Sequence, residues 1–191
     1  MKIKEIIILI SGRGSNMKAI AKNVQSGNLK DICKIQSVFS NKLDAAGLQI
    51  ADRLGIQNHC ISSKGKKRKT YNNMLLGWLK QQNPDFIILA GYMKILSPEI
   101  IREFPQKIIN IHPADTTQHQ GLHGYDWAFE NKLETTKITV HYVDEGLDTG
   151  KIIGQSTVNL IGCKSLEEVE KRGLKVEHEF YSECLKKVFE V

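Results

Sequence analysis

Residues 3–16 read IKEIIILISGRGSN, and this stretch decides the fold. It begins with residues 3–10, which end in the apolar run IIILI and therefore predict a buried strand. A glycine-containing turn follows, and residues 15–24 then predict a helix with Ser15 or Asn16 near its N-cap. A strand, a tight turn and a helix in this order form the unit from which α/β sheets are built.

The same alternation continues along the chain. The predicted strands are residues 3–10, 34–39, 59–61, 86–90, 107–111, 136–143 and 151–160. The predicted helices are residues 15–24, 43–54, 70–82, 97–104, 124–131 and 165–190. Ser165 and Glu168 fit a capping box at the start of the last helix. This order predicts a Rossmann-like α/β fold, with a mostly parallel, twisted sheet and helices on both faces. The last two strands are expected to add antiparallel pairing, and residues 1–191 are expected to form one domain.

The composition predicts a protein of a reducing, aqueous compartment. The four cysteines are far apart, so the sequence lacks the C-x-x-C pair of zinc ribbons and thioredoxins. Isolated thiols favour a reducing environment. Because no apolar run reaches the length of a signal-peptide core or a membrane span, we expect a cytoplasmic protein with no membrane partner.

Part of the net charge of +6 comes from the basic run KGKKRK at residues 64–69. Such a run suits a solvated loop, and it also suits an anionic ligand. Aromatic residues that could stack on single-stranded nucleic acid do not interleave it. We therefore predict no nucleic-acid partner.

The turn SGRGSN at residues 11–16 could bind a phosphate. It lies between a strand and a helix, where backbone N–H groups and the helix N-terminus can face an anion. It is not a P-loop, because no Gly-Lys-Ser/Thr follows, and Met17 stands where the dinucleotide fingerprint has its third glycine. A phosphate site and a purely structural turn both fit this segment.

Three polar side chains near the ends of two predicted strands form the candidate chemical site. Asn110 and His112 are two residues apart, so they lie on the same face of one strand. Asp148 follows another strand, in the turn DEGLDTG at residues 144–150. An amide donor, a titratable ring and a carboxylate that holds the ring are groups that acyl transfer needs. A structural role for His112 and a turn role for Asp148 are the alternatives.

Other chemistries have weaker support. The four histidines His112, His119, His123 and His141 could suggest a metal site, but their spacing matches no ligand motif, and we predict no bound metal. A serine hydrolase is not indicated, because no G-x-S-x-G elbow occurs. Residues 93–96 could form an apolar rim for a flat ligand, or ordinary core at the start of a helix.

An ordered set of motifs covers nearly the whole chain. The motifs are ISGRGSN (10–16), VFSNK (38–42), LAGYMKILSP (89–98), INIHP (109–113), GLH (121–123) and VDEGLDTG (143–150). Together they resemble the phosphoribosylglycinamide formyltransferases of purine biosynthesis. A single motif would be a weak sign, whereas the ordered set is a strong one.

The resemblance implies a formyltransferase fold and site residues by position. The reaction would move the formyl group of 10-formyltetrahydrofolate to the amine of glycinamide ribonucleotide, with no metal. Asn110, His112 and Asp148 would be catalytic. The substrate contacts would be Gly14, Ser15 and Asn16 around the phosphate and Glu177 at the ribose hydroxyls. The reduced-folate contacts would be Arg68, Met93, Lys94, Ile95, Leu96, Asn110, Val143, Asp144, Glu145, Gly146, Leu147 and Asp148.

The implied chemistry gives each catalytic residue a role. The amine attacks the formyl carbon and produces a tetrahedral oxyanion, which Asn110 and protonated His112 stabilise. Asp148 keeps the ring charged and in place. Water held near Asp148 and His112 carries the proton from the amine to the folate nitrogen.

The sequence departs from the family after His112. The family usually reads Ser-Leu-Leu-Pro after His-Pro, whereas residues 114–117 read ADTT here. We expect this loop to close over the site. The alternatives are a methionyl-tRNA formyltransferase or a formyltetrahydrofolate hydrolase, whose additional domains do not fit into 191 residues, or a nucleotide-binding protein with impaired catalysis. A monomer or a weak homodimer is expected.

Overall fold

The computed structural model describes residues 2–190, which form seven strands and six helices. The strands are β1 (Lys4–Ile10), β2 (Cys33–Ser40), β3 (Asn58–Cys60), β4 (Phe86–Leu89), β5 (Ile108–His112), β6 (Thr135–Tyr142) and β7 (Ile152–Asn159). The helices are α1 (Ser15–Ser26), α2 (Ala46–Arg53), α3 (Arg68–Gln82), α4 (Pro98–Glu103), α5 (Gly124–Glu130) and α6 (Leu166–Phe189).

The strands form one sheet in the order β3-β2-β1-β4-β5-β6-β7. Strands β1 to β5 are parallel, while β6 runs antiparallel to both β5 and β7. The predicted fold class, including its late antiparallel pair, is therefore confirmed. The strand order reverses between β1 and β4, so the carboxyl ends of these two strands form the crevice in which such sheets bind ligands.

Side chains of β1 enter two separate cores. Ile6, Ile8 and Ile10 pack with α1, α2, α5 and α6 on one face of the sheet. Ile7 and Leu9 pack with α3 and α4 on the other face. Because both faces are covered, the strand needs apolar residues at consecutive positions, which explains the unbroken run IIILI.

Helix α1 begins at Ser15, as the sequence predicted. Its N-cap is the preceding residue, Gly14, which has a left-handed φ of +73°. A side chain at this position would also overlap the backbone of Gly47, because a Cβ atom would lie 2.7 Å from the Gly47 Cα. Only glycine satisfies both the backbone conformation and the contact.

Two details differ from the prediction. His112 is the last residue of β5, so it lies in the strand and not beyond it. The Ser165 hydroxyl accepts from the Glu168 N–H as predicted, but the Glu168 carboxylate accepts from the N–H of Lys164 and not of Ser165. In residues 2–190, no helix combines the length and the apolar composition needed to cross a membrane.

Candidate active site

The pairing of β5 with β6 brings polar side chains together on one face of the sheet. Asn110 is paired with His141, and His112 is paired with Thr139. Side chains alternate along a strand, so Asn110 and His112 share a face as predicted. Directly opposite residues of an antiparallel pair face the same side, and the Asn110 Nδ2 atom lies 3.3 Å from the His141 Nε2 atom.

Asp148 joins this group from the segment between β6 and β7. Its Oδ1 atom accepts a hydrogen bond from Asn110 Nδ2 at 3.3 Å and lies 3.5 Å from His141 Nε2. Its Oδ2 atom lies 3.5 Å from His112 Nδ1 and accepts from the backbone N–H of Gly121 at 2.8 Å. The structure thus brings together the amide, the ring and the carboxylate that the sequence singled out.

The backbone at Asp148 is in an uncommon conformation. Its φ of +53° lies in the left-handed region, where aspartate is tolerated better than most residues but still costs about 1–3 kcal/mol. The preceding turn is closed by Asp144, whose Oδ1 atom accepts from the Gly146 N–H at 3.0 Å and the Thr149 hydroxyl at 2.8 Å. The surrounding contacts therefore hold Asp148 in position.

The three side chains face a cavity of about 400 Å³. Several of its lining side chains are apolar and exposed, among them Met93, Ile95, Leu122 and Leu147. The predicted folate contacts that line it are Met93, Lys94, Ile95, Leu96, Asn110, Val143, Asp144, Glu145, Gly146, Leu147 and Asp148. A largely apolar cleft with a few polar groups at one end is the usual form of a small-molecule site.

Burial decides the charge of His112. The side chain is 4% exposed, and the loss of water lowers its pKa by more than Asp148 and the His119 carbonyl raise it. The pKa therefore lies below its ordinary value of 6.5, so the neutral ring is favoured at pH 7 in the free protein. The sequence predicted the direction of the Asp148 effect correctly, and burial opposes that effect and exceeds it.

Asp148 itself is ionised at neutral pH. Burial raises its pKa, but the hydrogen bond with His141, the Gly121 N–H and the neighbouring His112 and His141 rings together lower it further, so the net shift is downward. The stabilised carboxylate is thus available to pair with a cation.

Although histidines flank Asp148, residues 2–190 contain no group of three or more His, Cys, Asp or Glu side chains that could hold a metal ion.

Backbone carbonyl groups indicate which ring nitrogens carry protons. The Nε2 atom of His112 lies 3.1 Å from the carbonyl oxygen of His119. Because a carbonyl only accepts, Nε2 holds a proton. Nδ1 lies 3.5 Å from the Asp148 carboxylate, which also only accepts, so a proton gained at Nδ1 would be donated to Asp148. In the same way, His141 Nδ1 lies 2.8 Å from the Tyr142 carbonyl oxygen and donates to it. The other ring nitrogen of His141, Nε2, lies 3.5 Å from Asp148 Oδ1 and 3.3 Å from Asn110 Nδ2.

The predicted phosphate turn lies beside the cavity and is not part of its lining. The N–H of Ser11 donates to the Gly91 carbonyl at 3.0 Å, and the N–H of Met93 donates to the Ser11 hydroxyl at 2.8 Å. Gly91 and Met93 line the cavity, so these bonds fix the turn against its edge. Gly14 and Ser15 stand at the start of α1, where the first backbone N–H groups lack intrahelical acceptors and suit an anion.

Asn16 and Glu177 lie far apart in sequence and meet in space. The Asn16 Nδ2 atom donates to one Glu177 oxygen at 2.5 Å, and the Tyr125 hydroxyl donates to the other. Gly173, one turn before Glu177 on α6, makes room for Tyr125, because any Cβ there would overlap the tyrosine ring. Asn16 Oδ1 is buried and has no hydrogen-bond partner within residues 2–190.

The polar loop at residues 113–123 packs against the sheet. Ala114, Asp115 and Thr116 are buried. The loop reaches the site twice through its backbone, where the His119 carbonyl contacts His112 and the Gly121 N–H contacts Asp148.

At a few positions, the site residues in the structure differ from those predicted from the sequence. Arg68 is exposed at the first position of α3 and does not line the cavity, unlike the other predicted folate contacts. Conversely, the sequence did not point to His141 or Gly121 as parts of the site. Antiparallel pairing of the strands at 107–111 and 136–143 would have indicated His141, whereas no sequence signal identifies a single backbone N–H such as that of Gly121.

Comparison with known proteins finds relatives along almost the whole chain. The formyl transferase family model matches residues 4–185. The chain is 36% identical over 177 residues to phosphoribosylglycinamide formyltransferase of Escherichia coli (strain K12), covering 92% of this chain and 82% of that protein. The enzyme of the same name from Haemophilus influenzae is 37% identical over 185 residues, covering 96% and 86%. The solved structure of glycinamide ribonucleotide transformylase 1 from Symbiobacterium toebii has a TM-score of 0.92 and 31% identity, covering 98% of this chain and 88% of that one.

Proposed function

This chain belongs to the formyl transferase family, and from that premise we propose that it transfers the formyl group of 10-formyltetrahydrofolate to the amine of 5'-phosphoribosylglycinamide. The observation that carries the proposal is the convergence of Asn110, His112 and Asp148 on one cavity. The relatives above are named for this transfer, which is a step of purine biosynthesis.

Asn110 is proposed to stabilise the charge that forms on the formyl oxygen. When the amine attacks the formyl carbon, that carbon becomes tetrahedral and its oxygen becomes an oxyanion. Asn110 lines the cavity, and its two Nδ2 hydrogens contact Asp148 and His141 in the free protein. When the substrates bind, the hydrogen that faces His141 at 3.3 Å would turn to the formyl oxygen, and a donor of this kind is typically worth about 3 kcal/mol. The contacts of Asn110 with Asp148 and His141 hold the amide in place beforehand.

His112 is proposed to move the proton that the transfer requires. After attack, the amine nitrogen is positively charged and has to lose a proton, while N10 of the folate has to gain one. The neutral ring can take the proton at Nδ1, directly or through a water molecule. The resulting imidazolium lies 3.5 Å from the Asp148 carboxylate, which stabilises it, and its charge also stabilises the oxyanion.

The second half of the reaction returns His112 to its starting state. The imidazolium gives the same proton to N10, the bond between N10 and the formyl carbon breaks, and the carbonyl re-forms on the new amide. The products are the formylated amine and tetrahydrofolate. No proton is gained or lost overall, so Asp148 serves as a fixed counter-charge and not as a proton carrier.

The two substrates are proposed to bind on either side of these residues. The apolar cavity beside residues 93–96 and 143–148 suits the flat ring of the folate. The phosphate would bind the N–H groups at the start of α1, at Gly14, Ser15 and Asn16. The ribose hydroxyls would then lie near Glu177, which already accepts from Asn16 and Tyr125.

A formyl-transfer assay with the purified protein tests the proposal. Release of tetrahydrofolate from 10-formyltetrahydrofolate, followed by absorbance, is expected only when 5'-phosphoribosylglycinamide is present. The control is the same assay without the amine, in which formyl transfer to water would point to a hydrolase instead. Formylation of charged tRNA, or no transfer to the ribonucleotide, would contradict the proposal.

A further inference from the structure

An ion pair with a buried carboxylate fastens the loop at residues 113–123 to the sheet. The Asp115 Oδ2 atom lies 2.7 Å from the Lys137 Nζ atom of β6. Gln155 of β7 donates from Nε2 to Asp115 Oδ1 at 3.2 Å and to the hydroxyl of Thr139 at 3.1 Å. The Thr139 hydroxyl in turn donates to the Ala114 carbonyl at 2.7 Å. The loop is thus bonded to both antiparallel strands at the edge of the sheet.

Asp115 also organises the loop around itself. Its Oδ1 atom accepts from the backbone N–H of Thr117 at 3.1 Å and from the Thr117 hydroxyl at 2.8 Å. Its backbone carbonyl accepts from the N–H groups of Gln118 and His119, both at 2.9 Å. These bonds close one turn over residues 115–119, and that turn ends at the carbonyl that accepts from His112 Nε2.

We propose that Asp115 is a positioning residue for His112. Its ion pair with Lys137 holds the turn at residues 115–119, so that the His119 carbonyl keeps the His112 proton on Nε2. Nδ1, which lies 3.5 Å from the Asp148 carboxylate, then takes up the reacting proton. The inference rests on the proposed function, because the choice of nitrogen matters only if His112 moves a proton.

Burial makes this ion pair matter more than most. The Asp115 side chain is only 8% exposed, whereas Lys137 is 42% exposed. The hydrogen bond from Lys137, with further bonds from Thr117 and Gln155, holds the pKa of Asp115 well below its usual range. Exposed ion pairs contribute little, but removal of Lys137 would leave a buried carboxylate with only the neutral donors of Thr117 and Gln155. Without Lys137, the carboxylate is expected to move toward water and to carry the turn with it.

The first test compares Lys137→Met, which removes the charge but keeps most of the chain length, with Lys137→Arg, which keeps the charge. We expect Lys137→Met to lower kcat about tenfold, because a small misplacement of a catalytic group costs up to about 10²-fold. The KM for 5'-phosphoribosylglycinamide should stay within about threefold of wild type, because the phosphate turn belongs to another part of the chain. Lys137→Arg should restore most of kcat. Lys80→Met, which breaks the exposed pair between Lys80 and Glu103, is the matched control and should leave kcat unchanged.

The second test reads the His112 proton directly and needs no activity. Two-bond ¹⁵N–¹H NMR spectra of the wild type should show the ring with its proton on Nε2, and Lys137→Met should show a mixture of the two neutral tautomers. If Lys137→Met does not fold, as judged by thermal unfolding, the double variant Asp115→Asn, Lys137→Met removes both charges and should give the same two results.

The two tests separate this inference from the proposed function. If the His112 tautomer differs between the wild type and Lys137→Met but the wild type transfers no formyl group, the proposed function is refuted and the positioning role stands. An active wild type whose kcat and tautomer are both unchanged in Lys137→Met would overturn the positioning role. A wild-type ring with its proton on Nδ1 would overturn it as well.

Discussion

The two halves of the candidate site are held by different kinds of structure. Asn110, His112 and His141 stand on β5 and β6, where the backbone hydrogen bonds of the sheet fix their spacing. Asp148 and Gly121 stand on loops, where the backbone is held by individual side-chain contacts and, at Asp148, adopts a left-handed conformation. The strand half is therefore rigid by construction, and the loop half depends on a few specific bonds.

The two halves of the site have different roles in the proposed reaction. The strands place the reacting groups, because they carry the amide of Asn110 and the ring of His112. The loops decide the state of the ring, because they supply the Asp148 carboxylate and the His119 carbonyl. A change in either loop should therefore alter the rate while the strand residues stay where they are.

The largest effect is expected when either the His112 ring or its counter-charge, the Asp148 carboxylate, is removed. We predict that His112→Ala and Asp148→Asn each lower kcat by about 10²–10⁴-fold, the usual range for general acid–base catalysis. Asn suits the test at residue 148, because asparagine also tolerates the left-handed conformation and removes only the charge. Single-turnover formyl transfer measures the effect, with circular dichroism to check the fold. Near-normal turnover in either variant would remove that residue from the mechanism.

The difference between strands and loops also explains what the sequence could predict. The fold followed from the alternation of apolar runs and helical periods, and the shared face of Asn110 and His112 followed from the two-residue repeat of a strand. The neutral resting state of the His112 ring could not be predicted from the sequence, because the depth of burial depends on residues from the whole chain. The left-handed backbone of Asp148 and the exposed position of Arg68 depend on loop paths, which no periodic pattern encodes.

The second prediction concerns the protonation state of the His112 ring, which the loop contacts influence. The pH dependence of kcat/KM tests it. A neutral His112 is needed to accept the proton, so protonation as pH falls through its pKa, below 6.5, should abolish activity. The substrate amine must also be neutral, and its pKa should lie between about 7.7 and 8.0. We therefore expect log kcat/KM to rise with a slope of about two below the His112 pKa and about one between the two pKa values.

The alternative ring state gives a different profile. If the resting ring had to be charged, the gain from the neutral amine and the loss from the ring would cancel between the two pKa values. A flat profile in that interval, with a slope of about one below it, would contradict the neutral ring. The same profile in Asp148→Asn should show the His112 pKa moved down, because the carboxylate raises it.

The third prediction concerns the phosphate turn, which stands outside both halves. Asn16→Asp should raise the KM for 5'-phosphoribosylglycinamide by at least about tenfold, because like charges brought together cost several kcal/mol. The new carboxylate would face both the phosphate and Glu177, which now accepts from Asn16 at 2.5 Å. The double variant Asn16→Asp, Glu177→Gln removes the repulsion from residue 177, and the single variant Glu177→Gln measures what the loss of that carboxylate costs by itself.

We expect the double variant to regain thermal stability without regaining substrate affinity. Isothermal titration with 5'-phosphoribosylglycinamide gives the affinity, and thermal unfolding without substrate gives the stability. Full recovery of affinity in the double variant would mean that the phosphate does not bind at residue 16.

The smallest effect is expected for an exposed ion pair. It tests whether the burial of a loop contact determines how much its loss lowers kcat. Arg102 of α4 donates to both oxygens of Glu145 at 2.8 and 3.1 Å, and this pair braces the loop that carries Asp148. Its geometry is as good as that of Asp115 with Lys137, but both side chains are exposed, so water can replace either partner. Arg102→Met should therefore change kcat by less than about threefold, against about tenfold for Lys137→Met. The two variants should be assayed side by side at low salt, where exposed pairs are strongest. Equal losses in both would show that the number of bonds to a loop, and not their burial, holds the site together.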